Sequence, residues 1–267
     1  MEQLSLTVIQ LIENEEYIPM AEAEYEGQKA ISAIIPDHAI PPIAWGHYKN
    51  VHTKAWFLTH FRPLKPFHPD DESLSEFLTT LKTLHKTSTS PTGQFGFHTT
   101  SFSGPPAMVV DWTSDWALFW TRELRAALAY MQRMLGDEDA ELQGLVEQLV
   151  ERIVPRLLVP LQTGGRTIRP ALCHGICGMG ISSLMMDLQC VRAERGVMNP
   201  GFVERYAREV GKSEPEADFE DRVALYAMMK EEMRRLLAKH PDGLAGFEGD
   251  LTPTGDHKLE EESAMDA

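Results

Sequence analysis

Short apolar runs dominate before Pro66 and helical spacing after it, and that single change of pattern limits what the chain can fold into. Before it, apolar residues come in short runs: Leu6 to Ile12, Pro42-Ile43-Ala44-Trp45-Gly46, and Lys54-Ala55-Trp56-Phe57-Leu58-Thr59-His60-Phe61. Runs of this length, rich in β-branched and aromatic side chains, predict strands. Between the first two, Glu22, Glu24, Glu26 and Lys29 interleave with Ala23, Ala30, Ile31 and Ile34, which predicts an amphipathic helix over 21–35 stopped by Pro36. After Pro63-Leu64-Lys65-Pro66 the apolar spacing becomes three-and-four. It predicts helices over 72–85, with Asp70 or Asp71 as cap, and over 114–135, 139–158, 200–210 and 218–239. The expectation is an α+β chain with a small β-containing lobe over 1–62 and a mainly helical lobe over 63–240. Residues 241–267 are acidic and poor in large apolar groups, and are expected to form a disordered tail.

Composition narrows the function classes. A chain of 267 residues that is 43% hydrophobic has material for a large core. Its formal net charge of −15, with no Lys/Arg cluster, excludes phosphate-backbone binding as a main activity, so no nucleic-acid partner is expected. No apolar run reaches the roughly 20 residues needed to span a bilayer, and the N-terminus lacks a signal-peptide pattern. Three cysteines, Cys173, Cys177 and Cys190, build no disulfide framework and point to a reducing compartment, so a cytoplasmic location is expected. The Gly/Ser/Thr/Pro-rich stretch over 87–106 is too long for a plain connection and reads as a functional loop or a packed irregular segment.

Four segments carry a resemblance: Leu84-His85-Lys86-Thr87-Ser88-Thr89-Ser90-Pro91, Gly93-Gln94-Phe95-Gly96-Phe97-His98-Thr99-Thr100, the run from Val154 to Pro170, and Cys173-His174-Gly175. Together they resemble the fructosamine (ketosamine) kinases, over roughly residues 18–172 and 197–240. The resemblance implies a protein-kinase-like two-lobed fold with a truncated small lobe. It implies ATP-dependent phosphorylation of the third hydroxyl of a fructosyl- or ribulosyl-lysine, with ATP and magnesium as cofactors. Glycated protein lysines or small ketosamines are the implied partners.

Carried over residue by residue, the resemblance puts Glu24 at the helix position that holds a phosphate-binding lysine. The strand position of that lysine falls on Gln10, and no Lys or Arg precedes Lys29. Thr59, His60 and Phe61 fall at the adenine-binding hinge. In the catalytic loop His174, Gly175 and Gly180 match, whereas Ile176 stands where the catalytic Asp belongs and Ile181 where the magnesium-binding Asn belongs. Asp187 is the carboxylate available as a second metal ligand. Loss of a positioned base typically costs about 10²- to 10⁴-fold in rate. The expectation is a member impaired or inactive in transfer. The alternatives are a pseudokinase that binds a nucleotide or glycated lysine and acts through a partner, and a kinase that recruits Asp187 and Arg192.

Apart from Gly180, residues 176–191 match nothing in the family pattern while both flanks do, which points to an altered reading frame, a retained or skipped intron, or decay. Cys173, His174, Cys177 and Cys190 also allow a zinc reading, though their spacing fits no standard finger. Adjacent residues of a strand face opposite ways, which separates Cys173 from His174. His98 lies in the family loop, where it could border the sugar or bond locally. Trp116 and Phe119, at helical spacing, read as core.

Overall fold

The computed structural model describes residues 6–63, 71–102, 105–135, 139–174, 180–182, 200–227 and 229–254. The small lobe is built from β1 (Thr7–Ile12), α1 (Ile18–Ile34), β2 (Pro42–Tyr48) and β3 (Val51–His60). Its antiparallel sheet has the order β1-β3-β2. The inward-facing Ala55 and Phe57 of β3 are buried with Ile12, Ile18 and Ala21, and Tyr25 and Trp45 pack on them. Helix α1 starts three residues earlier than its apolar pattern predicts. Pro19 sits in its first turn, where a missing N–H leaves no hydrogen bond unmade. The turn Glu15–Tyr17 just before it is capped by Asn14, whose side chain accepts from the Glu16 N–H.

Helix α1 belongs to two cores. Its first half packs on the sheet, while Ile31, with Ile35 just beyond the helix, packs with Leu84, Phe97, Val110 and Leu172 of the large lobe. One helix thereby carries the small lobe and meets the large one.

The large lobe comprises α2 (Asp71–Thr87), α3 (Trp116–Leu135), α4 (Ala140–Gln148), α5 (Val154–Leu158), the short pair β4 (Ala171–Cys173) and β5 (Gly180–Ser182), α6 (Pro200–Val210), α7 (Phe219–Ala227) and α8 (Lys230–Lys239). The expected helix over 139–158 is continuous, but it passes through a π-helical turn at Leu149–Ile153 between α4 and α5. The expected helix over 218–239 is two helices, because Met229 is extended (φ −89°, ψ 136°) and starts α8 afresh. The core centres on α3: Trp116 stacks on Phe119 at 5.3 Å, its indole N–H donates to the Tyr226 hydroxyl at 2.9 Å, and Trp120 meets the same ring edge-on. Trp116 and Phe119 are core, as their spacing predicts.

The stretch after α2 is packed irregular chain, held to the strand-like approach to α3 by a bridge between Phe95 and Thr113. Gly96 makes this approach possible: a Cβ there would lie 2.7 Å from the Val110 carbonyl. Of the expected tail, residues 255–267 lie outside the described residues, and the correction concerns 241–254 alone. Residues 241–254 are ordered, with Gly164 N–H donating to Thr252 O (2.8 Å), Thr254 N–H donating to Gln162 O (3.2 Å), and Phe247 lying under the guanidinium groups of Arg156 and Arg166. Backbone pairing and cation–π contact order this segment in place of apolar burial.

Candidate functional site

The cleft between the lobes is where kinase chemistry belongs in such a fold. Antiparallel register pairs Gln10 with Phe57 and Ile12 with Ala55, so Gln10 shares the sheet face of those buried side chains but is itself exposed. Glu24 lies on α1, and its carboxylate accepts a hydrogen bond from the Gln28 side chain one turn on. The other Gln28 amide atom, Oε1, is buried without a partner.

At the hinge, Thr59 and His60 are still inside the sheet, paired with Val8 and Thr7. The Phe61 N–H donates to Leu6 O at 2.8 Å, so an adenine ring would have to compete with β1 for that donor.

The catalytic-loop region is anchored from behind. Ser88 Oγ accepts from the Leu172 N–H at 2.9 Å, and the Arg169 guanidinium donates to the carbonyls of His85 and Ser88 at the end of α2. A guanidinium on the free carbonyls of a helix C-terminus satisfies them and complements the helix dipole. Strand β4 delivers Cys173 into the core and His174 to the surface, the opposite facing that a strand imposes. Cys173 pairs with Gly180 across the hairpin, and Leu172 with Ile181. Ile176 and Asp187, like Cys177 and Cys190, lie outside the described residues.

Sequence reasoning missed one link between the lobes. Glu26 of α1 receives His98 Nε2 at 3.2 Å and Lys29 Nζ at 3.2 Å. His98 therefore bonds a carboxylate 72 positions away and not its own loop. Nothing in the local pattern marks such a pair. A second missed group is Glu123 on α3, which accepts from the Val109 N–H. Burial pushes its carboxyl up to about 7, against the opposing pull of that N–H.

Magnesium and ATP, which the resemblance implies, find no matching set among these residues. Of the positions that the resemblance assigns, the one across from Leu172 is an isoleucine without a ligand atom, the one on β1 is an amide, and the Phe61 N–H is already engaged. One described cluster has metal-like composition: Asp218, Asp221 and His240, with ligand atoms within 4.8 Å of one another. Its carboxylates already have cations. Arg156 donates twice to Asp218, at 2.7 and 3.1 Å, and Arg235, Lys239 and His240 converge on Asp221 at 3.0, 2.7 and 2.8 Å. This is a structural charge network between α5, α7 and α8.

A sheet-plus-helix small lobe on a helical large lobe, with the β4–β5 hairpin at their junction, defines a protein-kinase-like fold. The family model for fructosamine kinase matches residues 6–182, more than half of the chain, and the chain belongs to that family. Among solved structures, a candidate fructosamine-3-kinase from Haemophilus somnus 129PT aligns with a TM-score of 0.65 at 14% identity, over 88% of this chain and 84% of that one. A second, from Thermobifida fusca YX-ER1, gives 0.58 at 13% identity over 81% and 80%. At these identities the likeness concerns the fold. No curated protein matches the chain in sequence.

Proposed function

We propose that this chain is a fructosamine-kinase family member that, as written, does not transfer phosphate. The family acts on ketosamines with ATP, and the two-lobed scaffold for that chemistry is present. What carries the reading is the uncharged Gln10 where the resemblance expects a lysine, together with Glu24 taken up by Gln28 of its own helix. Phosphoryl transfer is positioning plus electrostatic stabilisation of a highly charged transition state, so a neutral amide at the cation's place removes what the reaction needs most. Ile176 at the base position and Ile181 at the metal position act in the same direction.

The test is phosphate incorporation into a fructosyl-lysine peptide with magnesium and labelled ATP. The expected result is none above the protein-free control. Incorporation within about tenfold of an intact family member would sink the proposal.

A second reading is a binding module that takes nucleotide or glycated lysine and acts through a partner. The packing of Ile31 and Ile35 on Leu172 favours it, because it holds α1 and β4 together as two walls of a cleft. Thermal-shift titrations with Mg-ATP and with fructosyl-lysine, run separately, discriminate the two. A saturable shift supports binding, and none with either ligand removes it. In a positive case Glu24 of α1 and Thr59, His60 and Phe61 at the end of β3, the positions that the resemblance assigns to nucleotide, are the residues to substitute.

A further inference from the structure

The chain from Met108 to Val110 is the joint between two cores. Met108 packs against both, and Val110 is buried in the one that α1 shares with the large lobe, together with Ile31, Ile35 and Leu172. Backbone bonds tie the joint to the preceding loop: the Met108 N–H donates to Ser101 O at 2.8 Å, and the Phe97 N–H to Val110 O at 2.9 Å. From α3, the Glu123 carboxyl accepts the Val109 N–H, and among the described residues no cation pairs with that carboxyl. Its surroundings are poor in charge. One turn away on α3 stand Phe119, Trp120, Ala126 and Ala127, and the joint offers only Met108, Val109 and Val110. The titratable groups of the adjoining chain are engaged or turned away: His98 bonds Glu26, Arg125 reaches Glu147, Asp111 is exposed, and Arg122, the next residue on the helix, lies on another face. A carboxyl so placed resists ionisation because burial penalises its charged form, and Glu123 is pushed up to about 7.

We propose that Glu123 is a proton-operated clasp on the joint between the lobes: carrying a proton, it holds Val109 on α3 and Val110 in the shared core, and giving that proton to water lets the joint lift. The protonated carboxyl accepts the Val109 N–H through its carbonyl oxygen and leaves no charge in an apolar place. In the lifted joint the carboxyl meets water and ionises near roughly 4.3. Between that value and about 7 the held state carries a proton that the lifted state has lost, so lifting becomes more frequent by about tenfold per pH unit and levels off above that window. A lifted joint withdraws Val110 from the core in which Ile31 and Ile35 seat α1, so the grip between the lobes tightens with acid. Neither nucleotide nor metal takes part, and the outcome is independent of the proposed loss of transfer.

The experiment is native-state amide exchange on the full chain at pH 5.5, 6.5 and 7.5, each rate divided by its intrinsic chemical rate. Protection at Val109 and Phe97 should fall by about tenfold from pH 5.5 to 6.5 and by a smaller factor to pH 7.5. It should also stay at least about tenfold below that of Trp120 and Leu124 in α3, whose amides report global opening. Glu123→Gln keeps an acceptor for the Val109 N–H and has no proton to lose, so its protection at Val109 should be flat with pH. Protection at Val109 that is flat in the parent chain, that falls equally in Glu123→Gln, or that equals the α3 values at every pH overturns the proposal. If Glu123→Gln does not fold, Glu123→Met, of similar length and without a proton, takes its place.

Discussion

Glu123 couples the stability of the large lobe to pH. Its carboxyl is raised to about 7 in the fold, chiefly by burial, whereas an unfolded glutamate titrates near roughly 4.3. Between those values the folded chain holds a proton that the unfolded chain has lost. Stability is therefore greatest at the acid end of that window and declines as pH rises through it, by about 1.4 kcal/mol per pH unit for one group, then levels off. Urea midpoints at pH 5, 6, 7 and 8 should fall across the series in the parent chain and stay flatter in Glu123→Gln. Parallel profiles would refute the assignment. Asp221 has the opposite sign. Burial alone would raise it, but hydrogen bonds from Lys239, His240 and Arg235 hold it below the usual carboxylate range, so its contribution is present at neutral pH and is lost on acidification. Its side chain is 1% exposed, and Asp221→Asn would take the shared carboxylate from Lys239 and His240 and leave Arg235 with Glu232. A loss of about 3 kcal/mol is expected from removing one partner of a buried charge set. A change below about 1 kcal/mol in denaturant titration would mean that the network rearranges.

At the scale of elements, strands and helices were largely readable and their boundaries followed from local chemistry. Leu78, Leu81 and Leu84 of α2 are buried at the three-spacing that predicted them, while Phe77 of the same run is 36% exposed. The packed tail could not be read from composition, because its order comes from pairing with residues more than 80 positions earlier. Strand register was legible, so that Gln10 falls on β1 and Glu24 on α1 as expected, whereas the contact between Glu26 and His98 across the lobes left no mark in the local pattern. Two adjacent glycines test the tail's docking. Gly164 has φ +61° and a Cβ there would lie 2.6 Å from Asp250 O, whereas Gly165 has φ +79° with open space around it. Both alanine variants incur left-handed backbone strain of about 1 kcal/mol, but only Gly164→Ala also pushes the tail away. Limited proteolysis should therefore cut within 247–254 faster in Gly164→Ala than in Gly165→Ala, and equal rates would argue that the tail does not rest there.

For the whole molecule, β1 is the conspicuous surface. It lies at the edge of the described sheet, and Leu6, Ile9 and Leu11 are 65, 55 and 53% exposed. An apolar edge strand of this kind offers unpaired backbone groups to other chains. Concentration-dependent association in sedimentation experiments is expected, and Ile9→Lys should suppress it with little change in Tm, since the side chain points to solvent. Unchanged association in that variant would direct attention to another face.

The late arrival of residues 250–254 orders the folding of the large lobe. Tying Asp250 to Arg166 closes a loop of 84 residues, an entropic cost near 4 kcal/mol for a fully flexible chain. A few hydrogen bonds at about 1 kcal/mol each barely match it. Once α8 and the turn Gly243–Gly246 lie on Arg152 and its neighbours, only a handful of residues remain to be placed. The clasp can then close cheaply, so the chain fastens itself last. In native-state amide exchange, Gly164 and Thr254 should open together and well before the α3 core, keeping time for the final step of assembly.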